Sequence, residues 1–361
     1  MNRELRVVQY GCGKMGKFLM RYAAEKGAQI VGAYDMNPSV IGIDVGEIYG
    51  GKNIGVLVQN AEHFEAELKI TKPDCVVVAT RSLLKDVKEV LMTCARNGIN
   101  VVTTCDEALY PWNSSPKLVA EIDEIAKENN CTITGAGFPD LSYCHLVAAT
   151  AGSAHKITKI TGSASYNVED YGIALAEHHG AGYSAEKFDD EIASVDRLSV
   201  EDRQILIDKG EFKPIPMWNA NGWLCSKLGL TVKSQIQRCE PIFYDGDLNS
   251  KTLNRVIPKG EVCGMRSVAI TETEEGITLE TESIGKVYAE GEADTNNWVI
   301  YGEPDIYVSN SNIKNTEMIC ALMVSRIVDV VNGPAGFVTS DKMGPAKYYV
   351  KPMNEYCNFN K

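Results

Sequence analysis

The chain of 361 residues lacks the features that mark three classes of protein. It has no apolar run near the roughly 20 residues that a membrane-spanning helix needs. Lys and Arg number 36 against 48 Asp and Glu, and the net charge of −12 disfavours nucleic acids and anionic membranes as partners. Its 11 cysteines include no C-x-x-C pair, and no His/Cys cluster has zinc spacing, so we expect no metal site.

The cysteines and the start of the chain predict its compartment. The sequence enters an apolar strand a few residues after Met1, without the pattern of a signal peptide. An odd number of scattered cysteines then indicates reduced thiols and a cytoplasmic protein. Apolar content of 44% and this length are typical of a soluble chain with two globular domains.

The stretch that organises the rest of the chain is LRVVQYGCGKMG, residues 5–16. A short buried strand runs into Gly11, Gly13 and Gly16, which fit G-x-G-x-x-G, and a helical pattern follows directly. In this arrangement the glycines permit a tight turn, the approach of a pyrophosphate, and close helix–strand packing. Asp35 ends the next apolar strand, where an acid holds the ribose 2′-OH of a dinucleotide. The stretch therefore predicts a dinucleotide site.

The first part of the chain alternates apolar runs with helical patterns, which indicates a doubly wound parallel sheet of the Rossmann type. We predict strands at 6–10, 29–34, 75–79, 99–103 and 131–134, and helices at 14–26, 61–68, 83–97 and 115–129, with Ser82 as the cap of the third helix. The residues at the carboxyl ends of such strands bind the ligand. The predicted cofactor-binding residues are Gly11, Cys12, Gly13, Lys14, Met15, Gly16, Asp35, Thr80, Arg81, Ser82 and Thr104.

The texture changes after a predicted linking helix at 141–150. Alternating segments at 156–166, 231–244, 266–273, 276–282 and 298–308, with helices at 185–192 and 200–208, predict an α+β domain with a largely antiparallel open sheet. An open sheet of this kind favours a homodimer. The apolar helix 315–332 is expected to return to the first domain. The predicted domains are 1–143 with 312–345 for the dinucleotide, 144–311 for substrate and dimerisation, and a tail at 346–361.

Three segments carry a family resemblance: TTCDEALYPW, GAGFPD and GAGYSAEKF. Together they resemble the 2,4-diaminopentanoate dehydrogenases and native amine dehydrogenases, within the superfamily of dihydrodipicolinate reductase and meso-diaminopimelate dehydrogenase. The resemblance implies that Glu107 is the catalytic carboxylate and that Tyr143, Tyr166 and Tyr171 line the substrate pocket. It also implies NAD(P)-dependent oxidation of 2,4-diaminopentanoate to 2-amino-4-oxopentanoate and ammonia, as in ornithine fermentation, with a small diamine or amino acid as substrate.

The chemistry fits one acid in an aromatic pocket. Hydride can leave an amine carbon only when the nitrogen is neutral, and a free amine has a pKa near ~10, as in lysine. A carboxylate beside the nitrogen can take its proton and stabilise the resulting iminium. For the cofactor we expect NAD, because Met36-Asn37-Pro38 brings no cation to a 2′-phosphate, with some use of NADP possible.

Two alternatives stay open. Dihydrodipicolinate reductases carry E-x-H-H, a nearby lysine and S-G-T, and this chain has only Glu177-His178-His179 before Gly180. That alternative makes the chain an imine or enamine reductase, in which His179 would face the substrate. The second alternative is a dinucleotide sensor without catalysis, for which an acid such as Glu107 at the nicotinamide end would have no use.

Overall fold

A computed structural model describes residues 3–359 of the chain. It contains two compact units, one formed by residues 3–141 with 317–359 and the other by residues 142–316. The segment after 345 is not a separate tail, because Tyr349 and Met353 are buried in the core of the first unit. None of the helices in the described part of the chain is long and apolar enough to span a membrane.

The first unit is built on seven parallel strands in the order β15-β6-β5-β4-β1-β2-β3. The strands are β1 (Leu5–Tyr10), β2 (Ala28–Asp35), β3 (Val58–Asn60), β4 (Cys75–Val78), β5 (Asn100–Thr103), β6 (Thr132–Gly135) and β15 (Gly336–Phe337). The helices are α1 (Lys14–Glu25), α2 (Val45–Ile48), α3 (Phe64–Thr71), α4 (Leu84–Arg96), α5 (Pro116–Glu128) and α11 (Asn315–Asn332). The parallel order reverses beside β1, which confirms the doubly wound sheet.

Helices cover both faces of this sheet, which explains its continuous apolar strands. On one face α1 and α11 bury Leu19, Met20 and Met323 against β1 and β2. On the other face α3, α4 and α5 bury Leu68, Leu91 and other apolar side chains. Each strand is therefore shielded from water on both sides, and its polar groups meet solvent only at the ends.

The second unit is built on a mixed sheet of six strands in the order β14-β13-β7-β12-β11-β8, in which only β7 and β12 pair in parallel. The elements are β7 (Lys156–Asn167), β8 (Val232–Phe243), β11 (Val262–Thr273), β12 (Thr278–Lys286), β13 (Thr295–Glu303), β14 (Ile306–Asn310), a separate pair β9 (Leu248–Ser250) and β10 (Arg255–Ile257), and helices α6 (Leu146–Ala151), α7 (Ile173–His178), α8 (Ala185–Glu191), α9 (Val200–Lys209) and α10 (Pro216–Leu228). The α+β domain with a largely antiparallel sheet is thus confirmed.

Several local expectations were wrong. The single strand expected over 298–308 is two paired strands, β13 and β14, because the chain reverses at Pro304 and Asp305. The linking helix begins as a π-helical turn, Asp140–His145, before α6. Helix α10 was not predicted at all. Ser82 does not cap α4, since the N-cap is Leu83 and the first helical N–H donates to a distant carboxylate.

Candidate dinucleotide and substrate sites

The glycine-rich turn has the geometry that its sequence predicts. Gly11 has φ of +93°, and a Cβ there would clash with the carbonyl oxygen of Ala79 in the β4 loop. A Cβ on Gly16 would clash with the carbonyl oxygen of Gly11. At Gly13, by contrast, no atom of the described residues lies within 4 Å of the Cβ position. Gly13 caps α1, so this open space adjoins helical N–H groups that suit a pyrophosphate.

Asp35 is held in place at the end of β2 by two backbone N–H groups. Cys12 N–H donates to Asp35 Oδ2 at 2.6 Å, and Asn37 N–H donates to Oδ1 at 2.8 Å. The thiol of Cys12 is buried, and burial together with the nearby Asp35 charge raises its pKa to about 12. Cys12 was predicted to bind cofactor; in the structure its backbone fixes the acid that ends β2.

The ends of β4 and β5 meet beside the glycine turn. Thr104 N–H donates to the carbonyl oxygen of Val78, which continues the pairing of the two strands. Beyond it the loops stay joined, because Glu107 N–H donates to the carbonyl oxygen of Ser82 at 3.1 Å. Thr80 and Arg81 are exposed and Ser82 is half-buried. These predicted residues therefore share one sheet edge with Gly11.

The side chain of Glu107 is enclosed by protein. Its exposed fraction is 2%, and it accepts three hydrogen bonds: Leu84 N–H to Oε2 at 2.7 Å, and the hydroxyls of Ser114 and Ser115 to Oε1 at 2.7 and 2.6 Å. Leu84 begins α4, and Ser115 is the N-cap of α5. The carboxylate thus joins the starts of two helices to the loop after β5. The serines were not predicted; the Ser-Ser-Pro sequence at a helix start was their only signal.

Asp106, the neighbouring acid, has a different environment. It is half-buried, and its carboxyl group hydrogen-bonds to the side chain of Ser82. Within residues 3–359 no Lys or Arg forms an ion pair with it. Burial raises its pKa above the ordinary value for aspartate, although the Ser82 bond opposes the shift. Gly135 at the end of β6 lets this loop pack closely, because a Cβ there would clash with the backbone of Ala108.

In the second unit, His179 and two of the predicted pocket tyrosines form a cluster. His179 Nδ1 lies 2.8 Å from the carbonyl oxygen of Leu175, so Nδ1 carries the proton. Nε2 then accepts the hydroxyl proton of Tyr166 at 2.7 Å. Burial, aided by His178, lowers the pKa of His179 to about 4, so the ring is neutral at pH 7. The Tyr166 and Tyr171 rings meet edge to face at 5.9 Å.

Tyr143, the third pocket tyrosine, lies in a buried part of the same unit. Its ring packs on Trp298 at 5.8 Å, and its exposed fraction is 4%. The GAGFPD segment before it has a structural role in the first unit, because Asp140 forms a fully buried ion pair with Arg326 of α11 at 2.9 Å. Within residues 3–359, no group of three or more His, Cys, Asp or Glu side chains is placed to hold a metal ion.

Comparisons with known proteins place these features in a wider context. The family model for the 2,4-diaminopentanoate dehydrogenase C-terminal domain matches residues 142–357. A 2,4-diaminopentanoate dehydrogenase of Acetoanaerobium sticklandii is 26% identical over 276 residues, covering 74% of this chain and 72% of that protein. The solved amine dehydrogenase from Mycobacterium smegmatis is 35% identical with a TM-score of 0.88, covering 97% of this chain and 98% of that one. A 4-hydroxy-tetrahydrodipicolinate reductase of Methanocaldococcus jannaschii is 31% identical over 122 residues, covering 33% of this chain and 41% of that protein.

Proposed function

We propose a reaction for this chain on the premise that it belongs to the 2,4-diaminopentanoate dehydrogenase family. Membership makes it an NAD(P)-dependent oxidoreductase. The proposed reaction is the oxidative deamination of an amine, and the favoured substrate is 2,4-diaminopentanoate. One amine and one water give one ketone and ammonia, and two electrons and a proton leave the amine carbon as hydride.

The observation that carries this proposal is the pair of acids on the loop after β5. Asp106 and Glu107 lie at the carboxyl ends of the strands, at the sheet edge that also holds the glycine turn. An ammonium substrate must lose a proton before hydride can leave its carbon, and a carboxylate at this edge supplies the acceptor. A sensor that only binds dinucleotide would gain nothing from a half-buried acid without an ion-pair partner among the described residues.

The cofactor that best fits the first unit is NAD. The space at Gly13 and the N-terminus of α1 would receive the pyrophosphate, and Asp35 would accept hydrogen bonds from the adenosine ribose. When bound, the nicotinamide supplies the hydride acceptor. The residues around it position the dinucleotide and hold its phosphates with backbone N–H groups, without an added cation. The use of NADP is a weaker alternative.

In the second unit, Tyr166, Tyr171 and His179 are the proposed substrate-binding residues. A neutral histidine that accepts the Tyr166 proton gives a polar pair without net charge, which suits an amine that must become neutral. The reductase alternative needs a histidine that takes up a proton, and the lowered pKa of His179 disfavours it. A homodimer and a place in ornithine fermentation remain proposals.

The test is amine-dependent formation of reduced cofactor by the purified protein. A panel of diamines, amino acids and simple amines is supplied with NAD or NADP, and both reduced cofactor and ammonia are measured. The proposal expects equal amounts of the two products, with a 2,4-diamino acid among the best substrates. Reduction of cyclic imines with no oxidation of any amine would favour the reductase. Tight dinucleotide binding with neither reaction would favour the sensor.

A further inference from the structure

Two adjacent acids at the end of β5 have contrasting surroundings, and only one is placed for proton exchange. All the hydrogen bonds of the Glu107 carboxylate hold the protein together: one N–H and two hydroxyls occupy both oxygens within 2.7 Å. A substrate ammonium would have to displace at least one of them. The side chain is also 2% exposed, so the displacement would open the starts of α4 and α5.

We propose that Asp106, and not Glu107, is the carboxylate that takes the proton of the substrate ammonium, while Glu107 is a positioning residue that fixes the loop. Asp106 is half-buried and is bonded to the single hydroxyl of Ser82, which stands in the loop after β4. This inference rests on the proposed amine oxidation. In the step, an N–H bond of the ammonium breaks, an O–H bond forms on Asp106, and the nitrogen keeps the electron pair.

The energetics of the two acids also differ. A half-buried carboxylate with one hydroxyl partner and no ion pair among the described residues is costly to keep charged, so Asp106 lowers the stability of the fold. Glu107 does the reverse, because its removal would leave a buried N–H and two buried hydroxyls without their acceptor. Residues that are retained at a cost in stability are typical of functional sites.

The experiment compares D106N with E107Q in the full-length protein. Glutamine can keep the Glu107 contacts, since its Oε1 can accept from Leu84 and its amide can donate to hydroxyls that rotate. We expect D106N to lower kcat for amine oxidation by about 10²–10⁴-fold, with the Kd for NAD changed by a few-fold at most, and D106E to restore most of the rate. We expect E107Q to lower kcat less than tenfold.

Thermal unfolding of the cofactor-free protein gives a readout that does not depend on activity. D106N should raise the Tm, and E107Q should lower it. S115A is a second variant that removes one Glu107 contact without altering either acid, and it should lower the Tm while kcat is largely kept. A folded E107Q that loses 10²-fold or more in kcat while D106N stays active would overturn the inference. A parent protein that oxidises no amine would instead overturn the proposed function, and this inference with it.

Discussion

The cofactor preference can be tested at Asp35, where the structure fixes the carboxylate. Two backbone N–H groups bind its two oxygens at 2.6 and 2.8 Å. Hydrogen bonds to a charged group contribute about 1.5–3 kcal/mol each. A 2′-phosphate could therefore be accommodated only by breaking such bonds or by approaching a carboxylate that stays in place. The perturbation we choose is D35S with M36R, which removes the charge and adds a cation at a side chain that is 72% exposed.

The magnitude follows from the charges. A phosphate charge about 4 Å from Asp35 costs about 4 kcal/mol at an effective dielectric constant near 20. Asp35 is only half-buried, and salt screens such pairs, so we reduce this to about 2 kcal/mol. Since about 1.4 kcal/mol is a factor of ten, the parent protein should favour NAD by about 30-fold. The double variant should lose this preference and favour NADP.

The assay is the ratio of kcat/KM values for NAD and NADP at one amine concentration and one ionic strength. D35N is the matched control, because it removes the charge and keeps the shape; its ratio should lie between those of the parent and the double variant. Raising the salt concentration should narrow the preference of the parent. A parent protein that favours NADP tenfold or more would refute the assignment of Asp35 to the ribose.

Three further predictions concern stability and binding. The lowered pKa of His179 means that the unfolded chain takes up this proton first, so stability should fall by about 1.4 kcal/mol per pH unit from about pH 6.5 towards 4; in urea unfolding at several pH values, H179Q should flatten that slope, and an unchanged slope would contradict it. R326M should cost about 3–5 kcal/mol because the Asp140 carboxylate stays buried without its guanidinium, and adding D140L should recover most of the loss in the same assay. G16A should weaken both the fold, by about 1–3 kcal/mol, and NAD binding, whereas G13A should weaken NAD binding alone, as measured by unfolding and by titration calorimetry.

The sequence identified those parts of the fold whose causes are local. The turn at Gly11, the helix after it and the acid at Asp35 lie within one βαβ unit, so spacing alone reveals them. Helix α10 was missed because it is buried on nearly all sides: Asn219, Asn221 and Gly222 are as enclosed as its tryptophans, and no amphipathic period marks it. Only Pro216 at its start and Gly229 at its end gave a local signal.

The roles of the two acids could not be separated from the sequence. Asp106 and Glu107 are neighbours with similar chemistry, and what distinguishes them is Leu84, 23 positions away, and the later serine hydroxyls. Side-chain partners of this kind depend on how loops from separate strands meet, and no periodicity records that. The resemblance selected Glu107, and the contacts in the structure favour its neighbour.

The ion pair between Asp140 and Arg326 also bears on how the protein is made. The two residues are 186 positions apart, and a ribosome adds about 5–20 residues per second, so about 10–40 s separate their synthesis. During that interval the nascent first unit has neither the guanidinium that neutralises Asp140 nor the edge strand β15. The whole second unit emerges in the meantime and has a sheet of its own to form. The part of the chain that begins folding first is thus finished last.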